Sequence, residues 1–201
     1  MNATVRRSRI KTGYSYTIDY DSAVTGETNF TLGFLLPIRI TVSDGEGNVY
    51  KLREANWLLK ALYFFLPIPF VFINLEPLKP LRYYDNGVQT GKAGDFFKKS
   101  GYYFLVGEDV YEFHDHSHNY TSIMKNDVQI ALIQKERWNQ YERTAYHISY
   151  KKDACTRAMI MLFCIFIDTK GYPNRMTMGG DQYERGHVFG DEIKERTNWK
   201  P

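Results

Sequence analysis

The run Ala158-Met159-Ile160-Met161-Leu162-Phe163-Cys164-Ile165-Phe166-Ile167 constrains the fold of this chain more than any other feature. On a helix it is apolar on every face, so it must be hidden from water all round. It is too short to cross a bilayer, which takes roughly 20 apolar residues. The chain before it reads as short β-strands. A helix with no polar face after an all-β body fits the lumen of a barrel.

The β reading rests on alternation and on turns. Residues 14–20 alternate with period two, and 28–35 read as a second strand. A third, 37–43, stops at Asp44-Gly45-Glu46-Gly47-Asn48, which has the glycine and Asx chemistry of a hairpin, and 48–54 return. Asp85-Asn86-Gly87 joins strands at 81–84 and 88–92. Strands then follow at 95–98, 101–106, 109–115, 120–125, 128–135 and 144–150. About twelve short, evenly spaced strands argue for a sandwich or a closed barrel. The 16 Tyr and 13 Phe agree, because aromatic side chains suit a half-buried pleated surface.

At 201 residues the chain is expected to hold one domain. Residues 1–13 read as a basic N-terminal arm, 14–172 as the barrel with its helix at 153–170, and 173–201 as a polar, flexible tail. Asp153 is placed to cap the helix and Gly171 to end it. The stretch Trp57–Ile73 is also greasy, but it contains Lys60 and is broken by Pro67 and Pro69. It reads as a short helix running into a buried strand rather than as a membrane span.

Cys155 and Cys164 are the 2 cysteines. Nine residues apart on one helix, they are separated by about 13 Å, beyond the reach of a disulfide. Free thiols point to a reducing, cytoplasmic setting. Cys155 near a helix start could be a reactive thiolate, but only His147 is near enough in sequence to serve as its base, and spacing alone does not pair them. The net charge of +3 is mild. Chains that live on nucleic acid are far more basic, so none is expected as a partner.

The segment Asp153–Tyr172, DACTRAMIMLFCIFIDTKGY, has an acidic residue opening a stretch of small and apolar residues that ends in Ile167-Asp168. With the strand Asn126–Lys135, NDVQIALIQK, and the strands between Tyr103 and Lys125, it resembles the tubby C-terminal-like superfamily, and within it the LURP-one-related and phospholipid-scramblase branch. The resemblance spans residues 14–172 and implies a twelve-stranded barrel around a central helix. Some tubby-like domains bind phosphoinositides, so it also implies contact with anionic phospholipid. The chain lacks the Pro-rich N-terminus and cysteine-rich palmitoylation segment of scramblases, so lipid scrambling itself is not implied.

Two sets of residues stand out as candidate sites. Lys98 and Lys99, with Lys151, Lys152 and Arg157, could meet phosphate headgroups, each cation adding about 1 kcal/mol near an anionic surface. The rival reading is an ordinary solvated face, since 23 acidic residues nearly balance 26 basic ones. His114, His116 and His118 recur at strand spacing and could share one face as metal ligands. Ser117-His118-Asn119 reads as a turn, however, which takes His118 out of the row. The aromatic set Tyr102, Tyr103, Phe104, Tyr111 and Phe113 reads as barrel wall and core. The expected function is therefore a non-enzymatic binding or scaffold domain, without a cofactor, for anionic phospholipid or a protein partner at the cytoplasmic membrane face. The alternative is a metal-binding protein or enzyme built on His114–His118.

Overall fold

Side chains that point alternately inward and outward build a wall, and the inward ones here are large and apolar. In the computed structural model, described over residues 1–19, 21–29, 37–54, 81–95, 102–116, 120–136, 143–171 and 199–200, that wall is a closed antiparallel barrel of twelve strands. The strands are β1 (Asn2–Ile10), β2 (Gly13–Ile18), β3 (Asp21–Asn29), β4 (Arg39–Ser43), β5 (Val49–Glu54) and β6 (Leu81–Asp85). They continue as β7 (Val88–Asp95), β8 (Tyr102–Val106), β9 (Asp109–His116), β10 (Tyr120–Lys125), β11 (Val128–Lys135) and β12 (Arg143–Tyr150). Each strand pairs with its sequence neighbours, and β1 pairs with β12 from Asn2↔Ser149 to Ser8↔Arg143 to close the cylinder. Closure leaves no strand edge for another chain to extend.

A twelve-stranded lumen is wider than the strands' own side chains can fill. Helix α1 (Arg157–Gly171) occupies it, and every residue from Ile160 to Phe166 is fully buried. Its faces meet different parts of the wall. Phe163 packs on Phe104, Tyr111 and Phe113 with ring centroids 5.4, 5.1 and 5.2 Å away. Phe166 packs edge-on to Tyr102 at 5.7 Å. Met161 and Ile165 lie against Gly26 of β3, where an added Cβ would come within 2.4 Å of the Ile165 Cδ1. That inward glycine lets the helix lean on β3 and β4. The aromatic set expected as barrel wall and core is so: Tyr102, Phe104, Tyr111 and Phe113 face the core, and Tyr103 is on the outer wall, where it covers Gly94.

Even-numbered strands finish at one end of the barrel, called here the hairpin end, which also receives the start of α1. Its turns share a device. Asp19, Asn86 and Asn126 have φ of 49°, 47° and 47°, a left-handed conformation that Asn and Asp tolerate best among residues with a side chain. Their N–H groups donate to the carbonyls of Thr4, Val49 and Val110, each at 2.9 Å. Their Oδ1 atoms accept from the N–H of those same residues at 2.7, 2.8 and 2.9 Å. Each turn follows a register shift, in β2, β6 and β10, so the device recurs every fourth strand.

Four boundaries differ from the sequence reading. Residues 1–13 are not an arm: they form β1 and open β2, because Arg7 turns inward to a buried carboxylate. The strand expected to begin at 28 begins at Asp21, as β3, whose inward Val24, Gly26 and Thr28 suit the close helix; residues 30–35 of that expectation lie outside the described residues. Asp95, the expected start of a separate strand at 95–98, is the last residue of β7, and 96–98 lie outside the described residues. The helix begins at Arg157, not 153, and its cap is Thr156, whose Oγ1 accepts from the Met159 N–H at 3.2 Å. The helix and strand expected within 55–75 lie outside the described residues. Of the tail, Trp199 is described, with the Lys151 Nζ 5.8 Å from its ring centroid.

Candidate functional site

Strand pairing places residues from distant parts of the sequence side by side, and on β4–β7 it aligns four cations. Arg39 pairs with Arg53, Arg53 with Arg82, and Arg82 with Lys92. Inward neighbours fix the outward direction of each. Ile40, Leu52, Leu81 and Ala93 are buried in the core, so the adjacent Arg39, Arg53, Arg82 and Lys92 point away from it and are exposed. With strands about 4.8 Å apart the row is about 14 Å long. Lys51, opposite Tyr84, adds a cation one step toward the hairpin end.

Like charges directly opposite on a sheet repel and destabilise it. Among the described residues no carboxylate forms an ion pair with any of the four; the pairs present there are Arg7–Asp168, Lys125–Asp109, Lys135–Asp168 and the histidine contacts of Glu112 and Glu136. The row is thus concentrated positive charge on an outer wall. Arginine forks are suited to bidentate contact with phosphate oxygens.

The cations singled out in the sequence lie elsewhere. Lys151, Lys152 and Arg157 come together at the hairpin end, all exposed, around the turn that carries the chain from β12 into the lumen. That turn is held by the Lys151 N–H on the Ile130 carbonyl at 2.9 Å and the Ala154 N–H on the Lys151 carbonyl at 3.2 Å. Lys98 and Lys99 lie outside the described residues; the pair that brackets them, Asp95↔Tyr102, is at the opposite end.

The histidine segment is only partly described. His114 faces outward on β9, with Nε2 3.0 Å from Glu112 Oε2, and Ser122 sits across from it. His116 ends β9 opposite Tyr120, and His118 lies outside the described residues. Among the described residues no three His, Cys, Asp or Glu side chains gather to hold a metal ion.

Inside the barrel the thiols stay neutral and the buried carboxylate is paired. Burial pushes the Cys155 thiol up to about 12, against a smaller lowering by the Lys125 charge, and burial also raises Cys164 well above the ordinary thiol value. Both therefore stay protonated at neutral pH, and Cys155 is no thiolate despite its place before a helix. Asp168, near the end of α1, accepts from Arg7 at 2.8 Å, from Tyr16 at 2.8 Å and from Tyr146, and lies 3.4 Å from the Lys135 Nζ. Burial works to raise its carboxyl, but the charges of Lys135 and Arg7 and the two tyrosine hydroxyls outweigh it and hold it below its usual range.

Sequence reasoning missed the row on β4–β7. Its members occur singly, in PIRITVS, VYKLRE, LRYYD and VQTGKAGD, so no cluster of charge marks them. The one signal was position: each sits beside an apolar residue that alternation sends inward. Comparison with protein-family models, with curated proteins and with solved structures returns no match.

Proposed function

We propose that this protein is a non-enzymatic, tubby-like binding module that docks on anionic phospholipid through the β4–β7 wall, at the cytoplasmic face of a membrane. The observation that carries the reading is the cross-strand row Arg39–Arg53–Arg82–Lys92, exposed and without an ion-paired carboxylate among the described residues. A repulsive arrangement of this kind is relieved when phosphates lie against it. The lumen is taken up by α1, so the outer wall is the surface on offer. The described residues on either side of the apolar stretch Trp57–Ile73 in the sequence, Glu54 and Leu81, pair with each other next to the Arg53–Arg82 pair. No described helix is long and apolar enough to cross a membrane. The twelve-stranded barrel with its central helix also agrees with the architecture that the tubby-like resemblance implies.

Co-sedimentation with vesicles tests this. Wild-type protein should pellet with phosphatidylserine-containing vesicles at low salt, stay in the supernatant with phosphatidylcholine alone, and be released as salt rises. Arg53→Glu with Arg82→Glu should abolish pelleting. Lys151→Gln, Lys152→Gln and Arg157→Gln together should leave most of it. Equal binding to neutral vesicles, or binding that survives the double reversal, would overturn the proposal.

A further inference from the structure

Resting on that reading, we infer that the β4–β7 wall recognises the charge density of a membrane surface and not the identity of one headgroup. Selection among headgroups needs a concave site, in which several groups converge on one phosphate arrangement and reject others. The row has the opposite geometry. Arg39, Arg53, Arg82 and Lys92 each stand on a different strand, in register, on the outside of a closed barrel. Neighbouring strands on a convex wall direct their outward side chains apart. Four exposed cations spread over about 14 Å exceed the span of one phosphate group, so different members of the row meet different lipids.

Among the described residues the neighbouring positions supply no second recognition element. Toward the hairpin end the next row reads Glu27, Thr41, Lys51 and Tyr84, which adds one cation, one carboxylate that offsets it, and neutral groups. On the β7 side Lys92 is followed by Leu105. A depression of about 270 Å³ does exist on the barrel exterior, but it lies on β1, β10, β11 and β12, and its lining, which includes Thr4, Leu132, Gln134 and His147, holds no Lys, Arg, Asp or Glu. Charge and concavity are thus on different parts of the wall.

Two measurements test the inference. The first compares vesicles of phosphatidylcholine mixed with phosphatidylserine against vesicles mixed with phosphatidylinositol bisphosphate, adjusted to equal zeta potential. Affinities within about threefold of each other are expected. A preference above tenfold for either lipid at equal potential would overturn the inference while leaving phospholipid docking intact. Binding to neither would overturn both. The second neutralises the row one member at a time as Arg39→Gln, Arg53→Gln, Arg82→Gln and Lys92→Gln. Additive charge predicts a similar loss at each position, about fivefold, the equivalent of about 1 kcal/mol per cation. One position costing a hundredfold while the others cost nothing would mark a headgroup pocket and refute charge-density recognition. All four residues point away from the core, so the variants remain folded.

Discussion

Arg7 and Asp168 stand 161 residues apart in the chain and 2.8 Å apart in the fold, both almost wholly buried. The contact ties the first strand to the last turns of the central helix. Tyr16 on β2, Tyr146 on β12 and Lys135 on β11 meet the same carboxylate. One side chain of α1 thus holds four consecutive strands of the wall, including the β1–β12 pair that closes it.

This arrangement makes stability depend on pH at both extremes. Asp168 has a folded-state pKa below its unfolded value. The unfolded chain therefore binds the proton more readily, and the stabilisation, present above about pH 4, is lost as pH falls through the folded value. Tyr16 and Tyr146 are raised well above 10.0, by burial first and by the Asp168 charge next. Their contribution is present below about pH 10 and is lost above it, where the unfolded chain gives up its protons first. Asp168→Asn leaves Arg7 buried without its counter-charge and should cost about 3–5 kcal/mol at neutral pH. It should also flatten the acid limb of a urea-denaturation series. An unchanged acid limb in the variant would assign acid sensitivity to other groups.

The cysteines offer a direct check on where α1 sits. Cys155 is 7% exposed and Cys164 is fully buried, and both thiols are raised by burial. Alkylation needs the thiolate and access to it. Native protein treated with iodoacetamide at neutral pH should remain unmodified by mass spectrometry, and denatured protein should take up two groups. Labelling of Cys164 in native protein at the rate of a free thiol would show that the helix leaves the lumen.

The parts of the fold legible in the sequence were those set by local chemistry. An apolar run with no polar face could only be a buried helix, and Asn86-Gly87 and Asn126-Asp127 announced their turns. β1 was illegible because its inward Arg7 looks like one more residue of a basic arm until Asp168 is placed beside it. The cation row was hidden for a related reason. Alternation says which way Arg39, Arg53, Arg82 and Lys92 point, but only register says that they align, and register is fixed by turns and by irregularities such as the shift between Tyr83 and Tyr84, which alternation does not show. Lys151, Lys152 and Arg157 were visible because they are close in sequence, and they gather at an end that the row does not reach.

Asn126 tests the turn device of the hairpin end. Its backbone sits at φ 47° and its Oδ1 accepts from the Val110 N–H at 2.9 Å. Asn126→Ala keeps a Cβ in the left-handed region and removes the acceptor, and should cost about 2 kcal/mol in chemical denaturation. Asn126→Gly suits the left-handed backbone and loses only the side-chain hydrogen bonds, from the Val110 N–H and to the Asp109 Oδ1 at 3.2 Å, and should cost about half of that. The expected stability order is wild type, then Gly, then Ala. An alanine variant as stable as wild type would mean that the stitch to Val110 contributes nothing.

Gly26 tests how closely the helix leans on β3. A Cβ there would stand 2.4 Å from the Ile165 Cδ1 and 2.9 Å from the Met161 sulfur, both in the outer parts of side chains that can move. Gly26→Ala should therefore be tolerated at a cost of about 1–3 kcal/mol, the range for an overfilled core. Ile165→Val removes the Cδ1 atom that the new methyl would strike, and alone should cost about 1 kcal/mol as a small cavity. If the two positions meet as described, the methyl added at Gly26 occupies the space that Ile165→Val vacates. The double variant should then be more stable than the sum of the two losses implies, by at least about 0.5 kcal/mol in a urea-denaturation cycle. Strict additivity would mean that helix and strand do not share this space, and the close approach of α1 to β3 would have to be abandoned.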